Sequence, residues 1–324
     1  MGTPSPCGRH TSGDDQSLED DQSDEPVRAR MSWIGHLVNA VSLGVVYGLV
    51  AVSVGLVFGV LRQVNLAQGE VIALGAYSLW MTQNLPVVVR IVICIAVCVA
   101  MSLVIQVIIF RPLRGASALT TLIVTFGLSY ALEGVWTIVF GTNGQPVSML
   151  SSLNQVVVGG NVGLRWITLV EMGVGGVFFA VLVLVLYGSK IGVMMRATAE
   201  DFRTARLVGV RIDRVVTLAF VFGGVSAAMV AILFTVQTPL VTPTLGFNLI
   251  TLGLVGTVLG GIDRLGRATA GGFVVGFVNS MLGAVVPQEL LVFLPMLTFM
   301  FVIVVLVLRP AGLFTPKGSI VERV

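Results

Sequence analysis

Side chains able to do acid–base, nucleophilic or metal chemistry are scarce in this sequence. It has two histidines, His10 and His36, and three cysteines, of which Cys94 and Cys98 lie one helical turn apart in an apolar segment. These two thiols and the distant Cys7 make neither a disulfide framework nor a metal-binding spacing, and small packed core residues are the better interpretation of the pair. The sequence therefore predicts no catalytic constellation, no metal site and no cofactor, and we do not expect an enzyme.

Polar residues that interrupt long apolar runs are stronger candidates for function. The first interruption is LRQVNLAQGE, residues 61–70, and the second is GGIDRLGRATAGG, residues 260–272. Discontinuous membrane helices often supply exposed backbone groups to a substrate path, although two tight cytoplasmic turns fit equally well. Glu133, inside VTFGLSYALEGVWTIVF, is an ionisable side chain far from any loop. Such a group lines a translocation path or has a buried Tyr, Ser or Arg partner.

These residues must be positioned by membrane helices. Of 324 residues, 56% are hydrophobic and 11% charged, and the mean hydropathy is +0.98, whereas a soluble domain has roughly a quarter charged residues. A bilayer crossing needs about 20 mostly apolar residues. We expect an all-α polytopic membrane protein with eight or nine transmembrane helices, and favour nine, at 36–60, 67–83, 86–110, 118–140, 167–187, 214–236, 246–261, 268–285 and 288–308.

The predicted organisation is one transmembrane domain with two polar tails. Residues 1–30 hold seven acids and three bases with few large apolar residues, which predicts a disordered acidic tail. The transmembrane domain is expected at 31–312, with a cytoplasmic tail at 313–324. Segments 67–83 and 246–261 are short and rich in glycine or polar residues, so we predict broken or re-entrant helices there.

The basic residues predict the orientation. If nine helices cross and the loop at 188–213 is cytoplasmic, fourteen of the sixteen Lys and Arg in residues 31–324 lie inside and only Arg90 and Arg165 of them outside, as the positive-inside rule requires. The N-terminus is then external and the C-terminus cytoplasmic. A pI of 9.0 reflects these membrane-flanking arginines, so no nucleic-acid partner is expected.

The sequence lacks its own ATP-binding loop. Its two lysines, Lys190 and Lys317, follow Ser and Pro, so no GxxxxGK[ST] motif is present. If ATP drives this protein, another chain must bind it, and the loop at 188–213 is the candidate contact. Its stretch 197–210 predicts an amphipathic helix with Glu200 and Asp201 near the start, where acidic residues favour the positive helix N-terminus.

Three stretches carry a resemblance to a known family: GLVFGVLRQVNLAQGEVIALGAYS (55–78), MMRATAEDFRTARLVGVRIDRVVTLAFVFGGVSAAMVAIL (194–233) and GFNLITLGLVGTVLGGIDRLGRATAGGFVVGF (246–277). From about Met31 to Gly312 the chain resembles the permease subunit of a branched-chain amino acid type ABC importer, of the hydrophobic amino acid uptake family. Residues 194–210 then correspond to the segment that couples to a cytoplasmic ATPase, and we expect the coupling residues to be Arg196, Glu200, Asp201, Ala205 and Gly209.

The resemblance also implies a path and a set of partners. Asn65, Ala67, Gly69 and Glu70 match residues usual in the family after the first crossing, while Gln68 stands where a histidine is frequent. We expect the path to involve Asn65, Gln68, Gly69, Glu70 and Glu133. The implied partners are two cytoplasmic ATPase subunits, a second permease subunit and an extracytoplasmic substrate-binding protein, in a bacterial inner membrane.

The resemblance leaves the cargo open within the family. Branched-chain amino acids are the expected substrate, with urea, amides or aromatic acids as alternatives. An ion-coupled secondary transporter and a structural membrane protein or channel are alternatives from other classes. The first should show convincing intramembrane carboxylates, of which the sequence analysis identifies only Glu133. A structural membrane protein or channel would need no loop for docking an ATPase.

Overall fold

The computed structural model describes residues 14–113, 115–147, 149, 166–200, 205, 207–261, 265–309 and 312–313, with side chains from Trp33 onward except at 167, 199 and 200. Numbered along the chain, the helices are α1 (Asp14–Leu61), α2 (Gln68–Met81), α3 (Val87–Ile105), α4 (Ala118–Phe140), α5 (Trp166–Gly188), α6 (Lys190–Glu200), α7 (Ile212–Gln237), α8 (Leu245–Gly260), α9 (Leu265–Val285) and α10 (Leu294–Leu308). A π-helical turn, Gln106–Phe110, extends α3, and a 3-10 helix, Gln288–Phe293, leads into α10.

The described residues confirm an all-α polytopic architecture but correct the number of full crossings. Seven helices are long and apolar enough to cross a membrane: Trp33–Leu61, Val87–Phe110, Ala118–Phe140, Thr168–Gly188, Ile212–Gln237, Leu265–Val285 and Gln288–Leu308. The expectation of eight or nine counted two further segments. These form α2, with 14 residues, and α8, with 16, or about 21 and 24 Å of helix against a hydrocarbon core of about 30 Å.

Helix α1 is the centre of the bundle and also its longest element. It begins at Asp14, within the tail that the sequence analysis expects to be disordered, and its membrane-spanning part begins at Trp33. That part packs against α7, α8 and α9. Most of its side chains from Val46 to Val57 are buried, so α1 is surrounded by protein over the middle of its length.

Glycines bring α1, α8 and α9 into backbone contact. A Cβ added at Gly256 of α8 would lie 2.6 Å from the Cα of Gly272 on α9. One added at Gly272 would lie 2.6 Å from the carbonyl oxygen of Tyr47 on α1. Small residues four apart permit this approach in membrane helices, and Gly256, Gly260, Gly272 and Gly276 have that spacing. A larger side chain at either contact would push the helices apart.

Two groups of contacts define the two ends of the bundle. At one end, β1 (Gln145–Pro146) pairs antiparallel with β2 (Leu240–Val241), and Gln83 after α2 donates to the carbonyl of Pro146 at 3.2 Å. We call this the ribbon end. At the other end, the amide of Leu313 donates to the carbonyl of Leu259 at 2.9 Å. Helix α2 thus finishes beside the ribbon end and α8 finishes at the opposite end, so the two short helices run toward different ends.

Basic side chains are concentrated at the second end, which we call the basic end. The directions of the helices put two sets of basic residues at this end: those that flank the long helices and those in the connection between α5 and α7. They are Arg62, Arg111, Lys190, Arg196, Arg211, Arg214, Arg267 and Arg309. From Trp33 onward, Arg90 in the first turn of α3 is the exception among the basic residues that the structure describes. The charge asymmetry predicted from the sequence is therefore present across these residues.

Candidate functional site

The first interruption breaks the chain inside the bundle. Helix α1 ends at Leu61, Arg62 adopts a left-handed φ of 54°, and helical structure resumes at Gln68. The Gln68 side chain bonds to Gly223, which lies 11 residues from the start of α7 at Ile212 and 14 from its end at Gln237. Helix α2 therefore begins near the middle of the bundle, as the discontinuous-helix interpretation predicts.

A buried polar network holds the start of α2. Gln68 Nε2 donates to Ser53 Oγ at 2.9 Å and to the carbonyl of Gly223 at 3.0 Å. Ser53 Oγ donates to the same carbonyl at 3.1 Å, and Asn65 Nδ2 donates to Gln68 Oε1 at 3.3 Å. Asn65, Gln68 and Ser53 are at most 2% exposed. Three elements thus meet through polar groups far from either end of the bundle.

The second break lies elsewhere than the sequence analysis placed it. Gly69 and Gly246, near the starts of α2 and α8, are in backbone contact, because a Cβ on either would overlap the carbonyl of the other. Helix α8 therefore also begins inside the bundle, after the non-helical stretch 238–244. The predicted interruption at 260–272 is instead the connection from α8 to α9, of which 262–264 lie outside the described residues. This connection joins the last residue of α8 to the first residue of α9 at the basic end, so it is a turn between helices, the other interpretation that the sequence allowed.

Glu70, in the first turn of α2, bonds across to α4. Ser129 Oγ donates to its Oε1 at 2.9 Å and Trp136 Nε1 donates to its Oε2 at 2.8 Å. Farther along the same two helices, Tyr77 stacks on Phe140 with ring centroids 4.1 Å apart. Ser129 and Glu70 are fully buried, although most of α4 is not. These contacts fasten a peripheral helix to the broken one.

Glu133 lies close to the Glu70 contacts but is less buried than Glu70. It lies one turn from both Ser129 and Trp136 on α4, hence on the face that meets Glu70, and its side chain is only half-buried. The buried carboxylate with neutral donors is Glu70. The structure thus groups Asn65, Gln68, Gly69 and Glu70 at the break, with Glu133 beside them.

A second buried carboxylate, Glu171, was not expected from the sequence. Glu171 on α5 is 2% exposed, and Ser42 Oγ on α1 donates to its Oε2 at 2.7 Å. The criterion that singled out Glu133, an acid within a predicted crossing, applies equally to Glu171 in 167–187. Applying it to every crossing would have identified this residue.

The paired cysteines are packing residues. Cys98 Sγ donates to the carbonyl of Val71 at 3.4 Å, and Cys94 Sγ to that of Gly75 at 3.5 Å. A Cβ at Gly75 would lie 2.6 Å from Cys98 Sγ, so the thiols fill the contact between α3 and α2. No group of three or more His, Cys, Asp or Glu that could hold a metal ion occurs among the described residues.

The predicted coupling residues lie on the connection between α5 and α7. Arg196 on α6 donates to the carbonyl of Leu186, and its guanidinium lies 5.0 Å from the ring centroid of Tyr187. Asp201 and the side chain of Glu200 lie outside the described residues. The connection therefore bonds back to the end of α5 through Arg196.

Gly209 ends the last helical turn of this connection. The amide of Val210 donates to the carbonyl of Ala205 at 3.0 Å, and Gly209 has a φ of 87°. This bond and the left-handed glycine form a Schellman C-cap. Ala205 is buried, while Leu207 and Val208 are 87% and 77% exposed. The cap thus presents two apolar side chains to the outside of the bundle.

Comparison with known proteins identifies the family of this chain. A family model described as the permease component of a branched-chain amino acid transport system matches residues 36–307, which is most of the chain and reaches from the first to the last of the seven full crossings. The chain belongs to this permease family. The membrane-spanning helices and the family together make it a multi-pass membrane protein and a transport component.

Individual relatives of the permease support the same family assignment. It is 30% identical over 297 residues to the high-affinity branched-chain amino acid transport system permease protein LivH of Escherichia coli strain K12. It is 29% identical over 297 residues to LivH of Salmonella typhimurium strain LT2. Each match covers 87% of this chain and 95% of the relative. BraD of Pseudomonas aeruginosa is 26% identical over 299 residues, with the same coverage. No solved structure matches the chain.

Proposed function

We propose that this permease forms the membrane path for branched-chain amino acids in an ABC importer and couples to separate ATPase subunits. The observation that carries the proposal is the break at 62–67, where a buried polar network lies at mid-depth inside a member of this permease family. The relatives' names specify branched-chain amino acid transport. The proposed assembly contains two cytoplasmic ATPases, a second permease and an extracytoplasmic binding protein.

The path is proposed to pass the break that contains Asn65, Gln68, Gly69 and Glu70. A regular helix in a membrane uses its backbone groups internally, whereas a broken one can present polar groups to a cavity. Glu133 is half-buried on the α4 face next to Glu70, so it would border the same path. Apolar helices around the break would suit substrates with hydrophobic side chains.

Coupling is proposed at the basic end, which would then be cytoplasmic by the positive-inside rule. The N-terminus would be external and the C-terminus cytoplasmic, in a bacterial inner membrane. The Schellman cap at Gly209 supports a docking role because it holds Leu207 and Val208 exposed, and a Cβ on Gly209 would meet nothing within 4 Å. An ATPase groove could cover this segment without displacing any described helix.

Uptake assays in a strain that lacks this chain test the substrate. Expression of the full chain should restore uptake of leucine, isoleucine and valine when the other components are present. Restoration of urea, amide or aromatic acid uptake, with branched-chain uptake unchanged, would reject the proposed substrate. Expression without the ATPase genes should restore none of these activities.

A second measurement addresses the ion-coupled alternative, which the buried carboxylates Glu70 and Glu171 favour because such groups occur in ion-driven transporters. Uptake should stop when cellular ATP is depleted with the membrane potential maintained. It should continue when an ionophore collapses the ion gradients while ATP is held constant. The opposite pair of results would identify a secondary transporter.

A further inference from the structure

Asn65 contains a hydrogen-bond acceptor that the protein leaves unused. The residue is 2% exposed, and its Oδ1 is a buried oxygen without a hydrogen-bond partner. Leaving such an atom unpaired is unfavourable, so most buried polar atoms in native proteins are satisfied, and an exception calls for an explanation. This exception lies at the break, where α2 begins.

The network determines that the unused atom is an oxygen and not an amide nitrogen. The carbonyl of Gly223 can only accept, so the Gln68 atom 3.0 Å from it must be the Nε2 donor. Gln68 Oε1 must then face Asn65, and because that oxygen also only accepts, the Asn65 atom 3.3 Å away must be Nδ2. Oδ1 is left pointing away from Gln68. The Gly223 carbonyl on α7 thus determines, through Gln68, which way the Asn65 amide is oriented.

An unused acceptor selects the kind of group that can bind. It can receive an N–H or O–H donor and would repel a carboxylate. The positive N-terminus of α2 would by itself favour an anion, but Glu70 already occupies its first turn and Glu133 adds a second acidic side chain on the adjoining face of α4. The acidic groups around the break therefore favour a cationic donor over an anion.

We infer that Asn65 Oδ1 accepts a hydrogen bond from the α-ammonium group of the amino acid as it passes the break, so that Asn65 is a positioning residue for the substrate's charged end. The inference rests on the proposed function, because it takes the cargo to be an amino acid. Gln68 and Ser53 hold the Asn65 amide in the orientation that keeps the acceptor available.

Three variants of the full chain separate this role from a purely structural one. Asn65→Leu has a similar size but lacks both the donor and the acceptor. Asn65→Asp keeps an acceptor oxygen and loses the donor to Gln68. Ser102→Ala is the matched control, since it removes a buried hydroxyl that donates to another α7 carbonyl, that of Phe220 at 2.8 Å, outside the network at the break. Each is expressed in the deletion strain, and initial leucine uptake is measured at equal amounts of chain in the membrane.

Loss of a hydrogen bond to a charged group should slow leucine uptake by about ten- to a hundredfold in Asn65→Leu. The half-saturating leucine concentration should stay unchanged, because the binding protein captures the substrate first. Asn65→Asp should retain clearly more uptake than Asn65→Leu, and Ser102→Ala should resemble the wild type. Wild-type uptake in Asn65→Leu, or equal loss in both Asn65 variants, would overturn the inference. Failure of the wild-type chain itself to restore leucine uptake would instead reject the proposed function.

Discussion

Replacing the exposed apolar pair Leu207 and Val208 by serine is expected to weaken ATPase binding without affecting membrane insertion. Full burial of a leucine or valine side chain stabilises an assembly by about 1.5–3 kcal/mol. The two side chains are 87% and 77% exposed in the isolated chain, so an ATPase that covers both gains about 3 kcal/mol from them. Their loss corresponds to an increase of about a hundredfold in Kd.

The assay titrates the purified ATPase against membranes that contain the full chain and its partner permease, and measures bound ATPase and stimulated hydrolysis. Leu85→Ser is the matched control, because Leu85 is also exposed, at 43%, but lies in the loop after α2 at the ribbon end. The control should bind ATPase like the wild type. If the Leu207→Ser, Val208→Ser double variant binds with unchanged Kd, the docking surface is not at this cap.

Three further predictions concern the cap, the topology and the α2–α4 contact. Gly209→Asn should keep ATPase coupling better than Gly209→Leu, because asparagine tolerates the left-handed φ of 87° whereas leucine is strained there by about 1–2 kcal/mol; equal, complete loss in both would mean that the ATPase packs directly on the glycine. In intact cells and a Cys7→Ser background, an impermeant thiol reagent should label Thr142→Cys but leave Thr204→Cys unmodified, and the reverse pattern would invert the orientation. Glu70→Ala should lower the melting temperature, since it leaves the Ser129 and Trp136 donors unpaired at about 1–3 kcal/mol each, whereas Glu70→Gln should lose less; an unchanged melting temperature in Glu70→Ala would show that the contact does not stabilise the fold.

The sequence by itself determined the class of protein and the long crossings. Seven of the nine predicted segments are full-length helices whose ends agree within a few residues, because the length of an apolar run and the charges that flank it are local properties. The sequence also indicated that 67–83 and 246–261 differ from the rest, since both are short and contain glycine or polar residues. The concentration of basic residues at one end of the bundle was likewise readable from their spacing along the chain.

Only the tertiary structure decided where the two short helices begin and which polar groups meet there. Gln68 bonds to Gly223, 155 residues away, and Glu70 to Ser129, 59 residues away, and neither partner is signalled by a local pattern. A broken or re-entrant helix was expected at 246–261, but the position of its break was not, because 238–244 reads as an ordinary connection until Gly246 is seen against Gly69. Periodicity reports which residues share a face of one helix, whereas depth and partnership depend on how separate helices pack. That packing makes Glu70 a buried acceptor for α4 and leaves Asn65 Oδ1 unpaired.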